Sequence, residues 1–145
     1  MDRSGRQNAG TLVYQSHQLT PEDLLYFSEM AGFVDDWKKL GLDVEFDLCA
    51  LQVSIMASPK SGDVIPGTGG LRKLQFSPPK GIGGKKRGKR NSCRVCYVYY
   101  EEFYTVLLVT AYAKGRQEDI SDEERSSIKK IIERIYKSLS TRYAS

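Results

Sequence analysis

Two apolar runs, CRVCYVYY (Cys93–Tyr100) and TVLLVTAYAK (Thr105–Lys114), are separated by only four residues, EEFY. No other feature constrains the fold as tightly. Both runs are rich in β-branched and aromatic residues, the composition of strands that lie in a sheet. A four-residue link leaves room for a turn and nothing else, so the runs are expected to pair as an antiparallel hairpin. A third segment, LRKLQF (Leu71–Phe76), alternates Leu71, Lys73 and Gln75 with Arg72, Leu74 and Phe76, the period of a strand.

Helices are expected on either side of this sheet. Phe33, Trp37 and Leu40 fall on one face of a segment over 33–40. Asp43 is placed to cap a second helix reaching about Ala57, with Val44, Leu48, Leu51 and Ile55 at helical spacing. Pro59 stops it. Near the C-terminus Ser121 stands three residues before Glu124, the capping-box spacing, and Ile128, Ile131, Ile132, Ile135 and Leu139 form the stripe of a last helix. Thr20-Pro21-Glu22-Asp23 has the chemistry of a helix start, yet Leu24–Phe27 also suits a short strand. The predicted class is a small α+β domain. A single domain over 21–141 is expected, with a flexible N-terminal tail over 1–20 and a short C-terminal tail over 142–145.

Charge is distributed unevenly. The net charge is only +4, but between Lys60 and Arg94 there are ten Lys or Arg residues and a single acid, Asp63. A local excess of one sign produces a field that interspersed charges do not, and it suits a polyanion, here RNA. The loop residues Lys80, Lys85, Lys86, Arg87, Lys89 and Arg90 are expected to contact RNA phosphates, which gives affinity without sequence choice. The competing interpretation is a solvated loop. Arg72 and Arg94, on neighbouring strands, are expected to flank one phosphate. Tyr97, Tyr99, Tyr100, Tyr104 and Tyr112 cluster in or beside the hairpin, where one or two could stack on bases or supply a phenolic proton.

Other chemistries fit poorly. Cys93 and Cys96 are three apart on a strand, so their side chains point to opposite faces and make a poor chelate. The lone histidine, His17, lies in the expected tail, away from any core triad or zinc site. Gly62 and Gly67 have the spacing of a phosphate loop, but Thr68-Gly69 stands where Lys-Ser/Thr is required. Turn geometry accounts for these glycines, with an anion-binding nest as the alternative. No metal or cofactor is called for. The longest apolar run, Thr105–Ala113, is far below the roughly 20 residues that span a bilayer, so no membrane partner is expected. Three cysteines and no apolar leader point to a reducing, cytoplasmic setting.

At these residues the chain resembles bacterial toxins of the RelE superfamily, closest to the HigB-like branch of type II toxin–antitoxin modules. The resemblance runs over about residues 24–139. It is carried by GDVIPGTGGLRKL (Gly62–Leu74), the GKRGKR-like basic loop, RV-x-Y (Arg94–Tyr97), LLVTAYAK (Leu107–Lys114) and EDIS (Glu118–Ser121). FVDDWKKLGL (Phe33–Leu42) and LQVSIMASP (Leu51–Pro59) resemble the family's two N-terminal helices. The resemblance implies a first strand at Leu24–Phe27, a helical hairpin packed on a mainly antiparallel twisted sheet, and a C-terminal helix. It implies an mRNA endoribonuclease acting at the ribosomal A site and held inactive by a cognate antitoxin. The implied chemistry is attack of an RNA 2′-OH on the adjacent phosphate, which needs proton transfer and cations rather than a metal. On that implication Lys73 or Lys114 transfers the proton, Arg72 and Arg94 stabilise the phosphate, and Tyr112 stacks on or orients a base. An unperturbed lysine, with a pKa of about 10.4, is a poor base at neutral pH, so crowding by the two arginines is expected to assist it.

Two departures from the family pattern stand out. Gln75 occupies a position where a basic residue is usual, and Asn91-Ser92-Cys93 replaces a more flexible Gly-Gly pair. The missing cation keeps a rival open: a non-catalytic protein on the same fold that binds RNA or, like the ParE branch, poisons DNA gyrase.

Overall fold

The computed structural model describes residues 12–14, 17–79, 92–115 and 120–144. In chain order the elements are β1 (Leu12–Tyr14), β2 (His17–Leu19), β3 (Tyr26–Glu29), α1 (Phe33–Lys39), α2 (Phe46–Ala57), β4 (Asp63–Val64), β5 (Leu71–Phe76), β6 (Cys93–Tyr100), β7 (Thr105–Ala113) and α3 (Asp122–Tyr143). Strands β3 to β7 form one sheet in the order β3-β7-β6-β5-β4. Every pairing in it is antiparallel except β3 with β7, which is parallel. The architecture is the expected α+β arrangement: a strand and helical pair leading into a mainly antiparallel sheet, then a C-terminal helix.

The alternation of β6 sorts the core into two layers. Cys93, Val95 and Tyr97 face one side, where they pack with Phe33 and Trp37 of α1, Leu48, Leu51 and Ile55 of α2, and Phe76 of β5. Cys96, Val98 and Tyr100 face the other, against Ile132 of α3. The two cysteines therefore lie on opposite faces, as their spacing requires. An aromatic row crosses from helix to sheet: Phe33 to Trp37 and Trp37 to Phe76 both have centroids 5.7 Å apart. The indole N–H of Trp37 donates to the Asp43 carbonyl at 2.7 Å, which fixes the α1–α2 connection.

Local capping rules explain where the helices begin. Asp43 Oδ1 accepts from the backbone N–H of Glu45, Phe46 and Asp47, so it caps α2 as expected. Val44 is exposed instead of joining the stripe, because it lies between the cap and the first helical turn. Ser121 and Glu124 form the reciprocal capping box at the start of α3. Ile131 sits at the edge of the α3 stripe and is exposed. The two conflicting signals over 20–29 both have a place. Thr20 and Asp23 cap a single turn of 3-10 helix over Pro21–Asp23, and the strand starts afterwards, at Tyr26 and not Leu24.

Three expectations need correction. Residues 12–14 and 17–19 are not a featureless tail: β1 and β2 pair antiparallel, and Leu19 is fully buried. At the other end α3 continues to Tyr143, past the boundary drawn at 141. The glycine-bearing stretch after Gly62 includes a two-residue strand, β4, paired with Arg72 and Lys73, as well as turns.

Candidate functional site

Strand register decides which side chains meet. Gln75 of β5 lies opposite Arg94 of β6, and Arg94 lies opposite Tyr112 of β7. Three residues thus form a row across the sheet, with neighbouring side chains on one face about 4.5–5.5 Å apart at Cβ. Lys73, two residues from Gln75 on the same strand, shares that face. The row lies on the side of the sheet covered by α3, since Tyr112 packs against the layer that contains Ile132.

Arg94 is held by its neighbours. Its Nη1 donates to Gln75 Oε1 at 2.6 Å, and Gln75 Nε2 donates to Ser92 Oγ at 3.0 Å. Ser92 thus orients Gln75, and Gln75 orients Arg94. A neutral amide and a hydroxyl thus act together to aim the guanidinium.

Arg72 does not join the group. Its register partner is Tyr97, whose ring is in the α1/α2 layer, so Arg72 alternates away from Lys73 and Arg94. Its Nη1 donates to the carbonyls of Lys60 and Gly62, at 3.0 and 2.7 Å. The expected two-arginine clamp on one phosphate does not form, and neither does the double crowding of Lys73. Arg72 instead ties β5 to the chain leaving α2. Gly62 is needed there: a Cβ would lie 2.9 Å from the Tyr97 ring and hydroxyl and 3.1 Å from Arg72 Cβ. The close approach to the backbone at this glycine is made by Tyr97.

The tyrosines separate cleanly. Tyr97 is buried, donating to the Pro59 carbonyl at 2.8 Å and accepting from the Gly62 N–H at 3.1 Å. Tyr100 is buried and donates to the Ile132 carbonyl at 3.1 Å; burial pushes its phenol up to about 12. Tyr99 packs on the α1/α2 layer, and burial followed by the nearby Glu101 charge raises its phenol as well. Tyr104 is exposed at the β6–β7 turn, where it takes a left-handed φ of 52°. Of the five, Tyr112 is the direct cross-strand neighbour of Arg94, while Tyr100 lies on the same face six residues further along β6, against α3. Lys114 follows β7 by one residue and is exposed. The expected RNA-binding residues Lys80, Lys85, Lys86, Arg87, Lys89 and Arg90 lie outside the described residues.

A cleft of about 400 Å³ opens beside the row, lined by Lys73 and Tyr112 together with the Asp63–Pro66 segment, Ile120 and Arg125. Nothing in the sequence marks Arg125, which sits one turn into α3. Its Nη1 donates to the Pro66 carbonyl at 2.7 Å and its Nε to the Ile120 carbonyl at 3.2 Å, fastening the helix start to the β4–β5 turn. A larger cleft, about 940 Å³, lies toward the opposite end of β6 and includes Arg72, Tyr100 and Glu133. It contains none of Lys73, Arg94 or Tyr112, and Glu101, Glu102 and Glu133 offset its cations, so the chemistry favours the smaller one. Among the described residues no cluster of His, Cys, Asp and Glu could hold a metal ion, and no helix is long and apolar enough to cross a membrane.

The arrangement brings an aimed guanidinium, an amine and a phenol-bearing ring together on one sheet face, with a cleft alongside. No protein-family model matches the sequence. Among solved structures, a double-arginine mutant of the E. coli toxin RelE in its free state aligns over 77% of this chain and 98% of its own, at a TM-score of 0.47 and 18% identity. At that degree of likeness nothing about activity passes from one chain to the other.

Proposed function

We propose that this chain is a toxin of the RelE superfamily, of the HigB-like branch, and an endoribonuclease that cleaves mRNA in the ribosomal A site. The observation that carries the proposal is the register-defined row Gln75–Arg94–Tyr112 with Lys73 on the same face. In the reaction proposed, an RNA 2′-oxygen attacks the adjacent phosphorus and the P–O5′ bond breaks. The products are a 2′,3′-cyclic phosphate and a 5′-hydroxyl end. Arg94 stabilises the charge that builds on the phosphoryl oxygens. Lys73 or Lys114 takes the 2′-OH proton or supplies one to the departing 5′-oxygen, and Tyr112 stacks on a base. Arg72 has no direct part. The basic loop over 80–90 draws RNA in through its phosphates. The partners are message, ribosome and an antitoxin that covers the cationic face, and the setting is the cytoplasm.

Induced expression with mapping of mRNA 5′ ends tests this. The expected result is growth arrest and new ends within codons, both abolished by Arg94→Ala. Equal arrest by the wild type and Arg94→Ala without new ends overturns it in favour of a non-catalytic binding protein on the same fold. Gln75 supports that second reading, because it leaves the sheet face with one cation fewer than the family pattern.

A further inference from the structure

We propose that the cleft between the Asp63–Pro66 segment and the start of α3 is a guanine-binding pocket, holding the RNA base beside the phosphate engaged by Arg94. This rests on the reading of the chain as an RNA-cleaving protein and adds the base that it selects.

The lining has the composition of a base pocket and not of a second phosphate site. Ile65, Pro66 and Ile120 supply apolar surface, and Tyr112 supplies a ring for stacking. Its polar groups are of both kinds. Asp63 offers a carboxylate that only accepts, while Arg125 offers donors that cannot accept. Asp63, the cross-strand partner of Lys73, offsets part of the cleft's positive charge, and a base edge that carries donors and acceptors side by side satisfies groups of both kinds. Guanine fits best. Its N1–H and N2–H₂ form a pair of donors that a carboxylate can accept together, and its O6 and N7 are the acceptors to which arginine donates in pairs. Adenine, cytosine and uracil cannot give a carboxylate two parallel donors.

Arg125 is set for such a role. Two carbonyls hold Nη1 and Nε, which fixes the guanidinium plane, and its Nη2 has no partner among the described residues. The position relative to the reaction follows from the strands. Tyr112 is both a wall of the cleft and the direct cross-strand neighbour of Arg94, so a base stacked on it lies next to the phosphate that Arg94 would hold.

The test uses the full chain and labelled hexanucleotides made uncleavable by 2′-O-methylation: an all-uracil strand and versions with one guanine or one adenine. Binding is read by fluorescence anisotropy. A single guanine is expected to tighten binding about tenfold over adenine or uracil, the scale of one bidentate base contact. Asp63→Asn should remove that discrimination while leaving binding of the all-uracil strand in place. Asp63 is exposed on a two-residue strand, and an unchanged thermal midpoint shows that the variant is folded. Arg125→Gln provides the second variant and should also flatten the preference. Equal binding of all three strands, preference for adenine, or discrimination that survives Asp63→Asn overturns the proposal. Cleavage in cells without guanine selectivity would remove the pocket and leave the nuclease. Guanine-selective binding without cleavage would remove the nuclease and leave the pocket.

Discussion

Replacing Gln75 tests whether Arg94 must be aimed or merely present. In Gln75→Ala the acceptor 2.6 Å from Arg94 Nη1 is lost, and with it the link through Gln75 Nε2 to Ser92. A hydrogen bond to a charged group is worth about 1.5–3 kcal/mol when shielded. Gln75 is exposed, and water screens such contacts, so about 1 kcal/mol is the appropriate scale. If that energy keeps the guanidinium in its reacting position, the rate of the chemical step falls about fivefold. KM should hardly change, because the phosphate still meets the same charge. Gln75→Glu separates aim from charge. A carboxylate would hold Arg94 at least as firmly but cancel its charge, and the rate should fall by about a hundredfold, as when a charge-stabilising donor is removed. The assay is single-turnover cleavage of message on programmed ribosomes, with thermal midpoints as the folding control. Gln75→Ala at the wild-type rate, or Gln75→Glu as active as Gln75→Ala, would refute the reasoning.

Other outcomes follow from the same contacts. Arg72→Ala should reduce cleavage far less than Arg94→Ala and lower thermal stability instead, because it strips the donor from the Lys60 and Gly62 carbonyls; matched activity losses without a stability change would put Arg72 back in the site. Tyr97→Phe leaves a buried N–H and a carbonyl without their shared hydroxyl, and urea denaturation should show a loss of about 1–3 kcal/mol. Burial raises the Cys93 thiol from 9.0 to about 11, opposed by its own backbone hydrogen bond and by Arg94. The unfolded chain releases that proton first, so the contribution to stability is full below pH 9 and is lost as the pH rises toward 11. Denaturation midpoints should decline over that window, and less steeply in Cys93→Ala.

The parts that the sequence determined are those governed by short-range rules. The alternation of LRKLQF and the two hairpin runs placed β5, β6 and β7 with bounds within a residue of those found. Side-chain caps act over three or four residues, so Asp43 and Ser121 marked the starts of α2 and α3. The period of two sent Cys93 and Cys96 to opposite faces. It also separated Arg72 from Lys73, but alternation alone does not say which of them faces Arg94. That choice depends on register, a relation between strands 17 or more residues apart, and one residue of slip reverses it. Tertiary structure set Gln75 against Arg94, and the irregularity between Cys96 and Tyr97 then aligned Arg94 with Tyr112. Long-range contacts likewise placed β3 parallel to β7 and brought Arg125 to the cleft. Neither follows from local pattern, because the groups that meet are separated by most of the chain in the first case and by about 60 residues in the second. The sequence alone thus named the cations and the strands that carry them, and only the packed sheet decided which cations share a face.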